Sequence, residues 1–221
     1  MCLTDIQNRM RRASLEAGRK PADTALVAVC KMQPAEKIMP LIAAGQRVFA
    51  ENRVQEAAEK WPALRAAHDD IELHLIGQLQ TNKAKDAVRL FDVIESVDRE
   101  SLADALSKEM QKQNRPLPCF IQVNTGEEPQ KGGVAPHDLP ALYAYCRDVA
   151  KIEIAGLMCI PPENDVPALH FALLDKLARE ISPEKPLKLS MGMSADFETA
   201  IRCGATQVRV GSALFKIMTN D

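Results

Sequence analysis

The chain has 221 residues, enough to bury a substantial core as one barrel or two smaller domains. No apolar run in it approaches the roughly 20 residues that a membrane-spanning helix needs. A formal charge of −2 gives no general attraction to nucleic acid or to an anionic membrane. Aromatics are only 4% while Ala, Val, Leu and Ile are plentiful, which suits helices on parallel strands better than a β-sandwich.

The basic cluster Arg9, Arg11, Arg12, Arg19 and Lys20 is a local exception. Asp5 and Glu16 interrupt it and no apolar signal core follows, so it reads as a solvated helix face rather than a transit peptide. The six cysteines (Cys2, Cys30, Cys119, Cys146, Cys159, Cys203) form no C-x-x-C pair, and several lie inside apolar runs. Buried thiols in a reducing cytosol explain them better than disulfides or zinc. The four histidines, His68, His74, His137 and His170, show no metal spacing. A soluble, cytoplasmic protein is expected.

In chain order, residues 2–18 predict an amphipathic helix with Ile6, Met10 and Leu15 on a common face and Gly18 as its end. The run 25–31 is an apolar strand that meets a cation, Lys31, and Pro34 follows where a helix over 35–44 begins. A strand at 48–52, a helix at 54–67 and a strand at 71–77 come next, and the polar run after Gln80 starts another helix. Residues 93–97 are a fourth strand, with Asp98 placed to cap the helix at 99–112. Strands at 119–124 and 154–160 flank a Gly-rich, charged loop (125–133) and a helix at 137–150. A helix at 166–181, a strand at 187–191, a helix at 195–203 capped by Ser194, and a strand at 207–210 complete the pattern, with a brief helix after Ser212.

Strand then helix, eight times, is the signature of an α/β protein, a single (β/α)8 TIM barrel with an extra N-terminal helix over residues 1–221. A doubly wound sheet is the runner-up, since period alone does not separate the two. No linker divides the chain.

In a barrel the chemistry sits at the C-terminal ends of the strands. Alternation puts Lys31, Val29 and Val27 on the inner face and sends Cys30 and Leu26 towards the helices. A lysine amine beside apolar walls loses solvation, its pKa falls, and it becomes a nucleophile able to form a Schiff base. The alternative is a lysine that snorkels or pairs with a carboxylate such as Glu51. The same alternation turns Arg209 inward, where its alternative role is a structural pair with Glu95. The turns Met191-Gly-Met-Ser194 and Val210-Gly-Ser212 join glycine to a hydroxyl where barrels often bind phosphate, which makes Ser194, Gly211 and Ser212 phosphate candidates. No G-x-G-x-x-G or P-loop is present. A ligand with a phosphate at one end and an aldehyde at the other fits both groups, with Arg209 at its middle. Pyridoxal 5'-phosphate (PLP) has that shape, and an arginine facing its ring nitrogen tempers carbanion chemistry.

These residues carry a resemblance. The segments Ala28-Val-Cys-Lys31, Ala44-Gly-Gln, Glu51-Asn-Arg-Val-Gln-Glu56 and His74-Leu-Ile-Gly-Gln-Leu-Gln-Thr-Asn-Lys83 resemble those of the pyridoxal phosphate homeostasis proteins (the YggS or PROSC family). So do Gly156-Leu-Met, Leu189-Ser-Met-Gly-Met-Ser194 and Val208-Arg-Val-Gly-Ser212. That family shares its barrel with the N-terminal part of alanine racemases. The resemblance implies Lys31 as the Schiff-base lysine, Asn52 beside the cofactor, Ser194 with Gly211 and Ser212 on its phosphate, and Arg209 at the ring nitrogen. His74 falls in a family motif and reads as a hydrogen-bonded structural residue. Cys30, Ala50, Arg53 and Lys216 depart from the usual Ser, Gly, Tyr and Gly of the family, and touch no proposed contact.

The resemblance implies a protein of PLP homeostasis that carries or buffers the cofactor without substantial turnover. It leaves open which PLP-dependent apoenzymes, if any, are transient recipients, and a monomer is the default expectation. A PLP-dependent amino-acid racemase is the alternative. It needs a second base opposite Lys31, and the only tyrosines, Tyr143 and Tyr145, fall on the helix after strand five. A Schiff-base aldolase acting on a sugar phosphate is a third reading.

Overall fold

The computed structural model describes residues 2–215. Eight strands, β1 (Ala25–Val29), β2 (Val48–Glu51), β3 (Glu72–Leu75), β4 (Val93–Val97), β5 (Cys119–Val123), β6 (Ile154–Cys159), β7 (Lys188–Ser190) and β8 (Gln207–Val210), pair in parallel in chain order. β1 closes the ring on β8, with Val27 opposite Arg209. Closure excludes the doubly wound sheet and makes the fold a (β/α)8 barrel. Around it lie α1 (Leu3–Glu16), α2 (Ala35–Ala43), α3 (Val54–Ala67), α4 (Ala84–Leu90), α5 (Glu100–Lys112), α6 (Leu139–Asp148), α7 (Pro167–Ile181), α8 (Phe197–Arg202) and α9 (Ser212–Phe215). A 3₁₀ turn at Thr81–Lys83 leads into α4.

The core follows from the two-residue period of the strands. Leu26, Ala28 and Cys30 of the β1 segment, Leu73 and Leu75 of β3, and Val208 and Val210 of β8 face outward into one continuous apolar shell shared with the helices. The inner residues make smaller clusters: Val27, Val29 and Ala50 on one side, and Val93, Phe120 and Met158 on the other. Gly156 is required among them, because a Cβ there would lie 2.4 Å from both the Phe120 ring and the Lys188 carbonyl.

Several expectations need correction. Leu15 is exposed, and Leu3, Ile6, Met10 and Ala13 form the buried face of α1. The basic cluster is only partly a solvated face. Arg9 pairs with Glu198 at 2.6 Å and stacks on Phe197, which ties α1 to α8, and Arg19, just past α1, donates to the Ile201 carbonyl of α8 at 2.7 Å. Asp98 does not cap α5, because its carboxylate pairs with the neighbouring Arg99. Ser194 is no cap either, since α8 begins at Phe197 and Asp196 accepts the Met193 N–H at 2.6 Å. β4 and β8 end where expected and the other six strands end one or two residues earlier, so Lys31, Asn52 and Gly77 stand on the loops above the barrel. Lys216 lies outside the described residues.

All six cysteines are free thiols. Burial pushes Cys146 and Cys159 up to about 12, which leaves them protonated packing groups at neutral pH. Among the described residues no helix is long and apolar enough to cross a membrane, and no cluster of His, Cys, Asp and Glu could hold a metal ion.

Candidate functional site

The C-terminal mouth of the barrel holds a cavity of about 350 Å³, within the range of small-ligand sites. Lys31, Asn52, Ser194, Arg209, Gly211 and Ser212 all line it, together with Val29, Ile76, Ile160, Met193 and Ala195. Six residues from Lys31 to Ser212, a span of 182 positions, are therefore brought to one opening, because each sits at or just past the end of a strand.

Lys31 stands on the turn after β1, with Val29 beneath it. It is exposed rather than walled in by apolar groups, a correction to the desolvated amine expected from the run before it. The pair with Glu51 does not form. Glu51 points to the helix side of the barrel, where it pairs with Lys60 at 2.7 Å and accepts the Trp61 Nε1–H at 2.9 Å.

Arg209 is 3% exposed and turned inward, as alternation requires. It does not pair directly with Glu95. Its Nη1 donates to Ser190 Oγ at 2.6 Å and its Nη2 to the Cys159 carbonyl at 2.8 Å. Ser190 in turn donates to Glu95 Oε2 at 2.5 Å, and Glu95 Oε1 accepts from Gln207 Nε2 and faces His74 Nδ1, both at 2.6 Å. His74 Nε2 lies 2.8 Å from Glu72. Burial works against charge on His74, but the two carboxylates outweigh it and raise its pKa to about 9. Burial likewise opposes ionisation of Glu95, yet His74, Arg209 and Ser190 together hold its carboxyl below the ordinary value. His74 is thus a structural cation bridging two carboxylates below the cavity.

Between the ends of β7 and β8 the backbone forms a cradle. Gly192 adopts φ 90°, and a Cβ there would sit 2.4 Å from the Ala200 side chain. Gly211 passes so close to β1 that a Cβ would lie 3.1 Å from the Val29 carbonyl. Ser194 Oγ faces Ser212 Oγ at 3.2 Å and the Ala213 N–H at 3.5 Å. Asn52 has a buried Oδ1 with no partner, an atom that costs stability unless a ligand satisfies it.

Sequence reasoning named Glu95 for Arg209 and a hydrogen-bonded His74, but missed the chain through Glu72, Ser190 and Gln207 that links them. Its signal was present in the polar residues at alternate positions of otherwise apolar strands: Glu72 and His74, Glu95, Ser190, and Gln207 and Arg209. It also missed the cluster around Lys60, described below.

Eight parallel strands closed around a rim cavity that gathers a lysine, an arginine and two hydroxyls define a (β/α)8 barrel with its ligand site at the C-terminal face. The family model for the alanine racemase N-terminal domain matches residues 2–219. The pyridoxal phosphate homeostasis protein of Aquifex aeolicus is 40% identical over 220 residues, covering 96% of this chain and 95% of that one. Its namesake in Pseudomonas aeruginosa is 40% identical over 216 residues, covering 96% and 93%. The chain belongs to the alanine racemase N-terminal domain family and, within it, to the pyridoxal phosphate homeostasis proteins.

Among solved structures, PipY of Synechococcus elongatus PCC7942 without PLP matches with a TM-score of 0.83 at 40% identity. The same protein with PLP bound gives 0.81 at 39%, and each comparison covers 94% of this chain and 99% of PipY. An alanine racemase of Clostridium difficile 630 has a TM-score of 0.69 at 14% identity, covering 92% of this chain and 53% of that one, a likeness of fold alone.

Proposed function

We propose that the protein binds PLP at the barrel mouth and holds it on Lys31 as part of PLP homeostasis, without substantial turnover. The observation that carries this is the convergence of Lys31, Asn52, Arg209 and the Ser194–Ser212 cradle on one cavity. PipY, solved with PLP bound, and the relatives named for PLP homeostasis support the choice of ligand.

The residues fit the group. The unpartnered Oδ1 of Asn52 and the close approach of Gly211 to β1 are features that an empty barrel end has no reason to keep. When bound, PLP supplies an aldehyde carbon that condenses with an amine, with loss of water. Lys31 is the amine placed for it, and no hydrogen bond or ion pair with the described residues engages its side chain. Ser194 and Ser212 offer hydroxyls to a phosphate, and none of the hydrogen bonds of the described residues uses the backbone N–H of Ser194, Ala195 or Ser212. Arg209, locked by Ser190 and the Cys159 carbonyl, presents a guanidinium that donates a hydrogen bond to a ring nitrogen.

That last feature supports holding over turnover, because a ring facing an arginine is a weaker electron sink than one facing a carboxylate. The placement of the tyrosines supports it as well. Tyr143 and Tyr145 are on α6, Tyr145 OH donates to Asp104 at 3.0 Å, and neither lines the cavity. Equilibrium dialysis with PLP tests the reading. Stoichiometric binding weakened about tenfold by Arg209→Ala or Ser212→Ala supports it, each removing a charged or phosphate hydrogen bond. Binding indifferent to both variants contradicts it. Transfer of the cofactor to PLP-dependent apoenzymes belongs to the same proposal, and retention of a monomer in solution is expected.

A further inference from the structure

The turn that carries Lys31 is gripped from the helix side by charged residues that line no part of the cavity. The Gln33 N–H donates to the Cys30 carbonyl at 3.0 Å and closes a four-residue turn, Cys30 to Gln33. Met32, its third residue, has φ 59°. A long side chain on left-handed backbone is disfavoured, and Met32 is 85% exposed, so packing does not offset the cost.

What offsets it comes from β2 and α3. Lys60 Nζ donates to the Cys30 carbonyl at 2.8 Å and to the Gln33 carbonyl at 2.9 Å, spanning both ends of the turn. Glu56, one helical turn before Lys60, accepts the Met32 N–H at 2.5 Å and pairs with Lys60 at 2.9 Å. Beneath them Glu51 is fully buried and pairs with Lys60 at 2.7 Å. Burial opposes the charge on Lys60, but hydrogen bonds to both carboxylates outweigh it and keep the amine above its ordinary pKa. As a device for stability alone the cluster is poor. Glu51 keeps a buried oxygen, Oε2, without a partner, and a buried ion pair is often no better than well-packed apolar residues.

We infer that Glu51, Glu56 and Lys60 are positioning residues that hold the Cys30–Gln33 turn in its left-handed form and so keep the Lys31 amine over the cavity. The inference rests on the reading of Lys31 as the attachment point. Lys60 acts on the carbonyls of Cys30 and Gln33, either side of Lys31, and Glu56 acts on the Met32 N–H between them. Neither touches the ligand, so their loss changes attachment and leaves phosphate recognition alone.

The test compares two probes. PLP reports attachment through its visible absorption, and pyridoxamine 5'-phosphate, which lacks the aldehyde, reports the pocket. Glu56→Ala leaves the buried Glu51–Lys60 pair intact and so preserves folding, while Lys60→Met removes both hydrogen bonds from Lys60 to the turn and leaves that of Glu56 to the Met32 N–H. Glu56→Ala, which loses one charge-assisted hydrogen bond to the turn, is expected to lower the fraction of covalent complex about tenfold, and Lys60→Met, which loses two, by at least as much, with pyridoxamine 5'-phosphate affinity within about twofold of the parent in both. Lys60→Arg restores attachment, and adding Met32→Gly to Glu56→Ala recovers much of it, because glycine tolerates φ 59° without help. Unchanged attachment, or parallel loss of both ligands, overturns the inference. Hydrogen exchange of the Met32 amide in the cofactor-free protein reads the grip independently. Faster exchange in Glu56→Ala supports it even if Lys31 proves not to carry PLP, and unchanged exchange overturns it.

Discussion

Arg209 reaches Glu95 through a single hydroxyl. Its Nη1 donates to Ser190 Oγ at 2.6 Å, and that hydroxyl donates to Glu95 Oε2 at 2.5 Å. A cation that lines the cavity is thereby connected to a carboxylate that is fully buried in the barrel. The connection lets an inward arginine keep a fixed geometry while its counter-charge stays away from the ligand, so Arg209 faces the cavity as a donor rather than as half of a closed ion pair.

Removing the hydroxyl therefore loosens the arginine. Ser190→Ala deletes one charged hydrogen bond at each side and is expected to cost about 1–3 kcal/mol of stability. Glu95→Ala removes the buried carboxylate that His74, Ser190 and Gln207 share and that stands behind Arg209, leaving His74 with Glu72 alone, and is expected to cost about 3–5 kcal/mol. Urea denaturation checks both values, and equal effects of the two variants would contradict the ordering.

The interior histidine makes stability fall in alkali. His74 titrates near 9 in the folded protein against about 6.5 when unfolded, so its contribution is complete below about pH 6.5 and is lost as pH rises through 9. The change is at most about 3 kcal/mol. Denaturation midpoints measured from about pH 6 to 9.5 should decline more steeply for the parent than for His74→Gln. Parallel profiles would count against a charged His74.

Asn52 should behave in the opposite sense for stability and for binding. Its Oδ1 is buried without a partner, so Asn52→Ala is expected to leave the cofactor-free protein unchanged or up to about 1 kcal/mol more stable. The same variant should bind PLP more weakly. Thermal melts with and without PLP separate the two effects, and a destabilised free protein with normal binding would refute the assignment.

Much of this was legible in the residues. Strand periodicity alone put Val27, Val29 and Lys31 on one face and Cys30 on the other, and the cavity lining follows that division. Gly211 and Ser212 line the cavity, a position legible from glycine beside a hydroxyl at the end of the last strand. The partner of Arg209 was not readable. Glu95 was the right carboxylate, but whether Ser190 stands between them depends on the stagger of strands across the barrel, which no local pattern encodes. Of the two roles open to Ser194, cap and phosphate ligand, the cap does not form, because the residues after Met193 make a turn, closed by Asp196, before α8 begins. The grip of Lys60 on the Lys31 turn joins residues 30 positions apart through side chain to backbone contacts, which leave no periodic trace.

The account turns on Lys31 as the point of attachment, and reductive trapping tests it most directly. The protein is mixed with PLP, treated with borohydride and digested, and the modified peptide is identified by mass spectrometry. A single pyridoxyl adduct on Lys31, abolished in Lys31→Ala while the exposed position leaves that variant folded, is the result expected. No adduct, or adducts scattered over surface lysines such as Lys85 and Lys176, would contradict it.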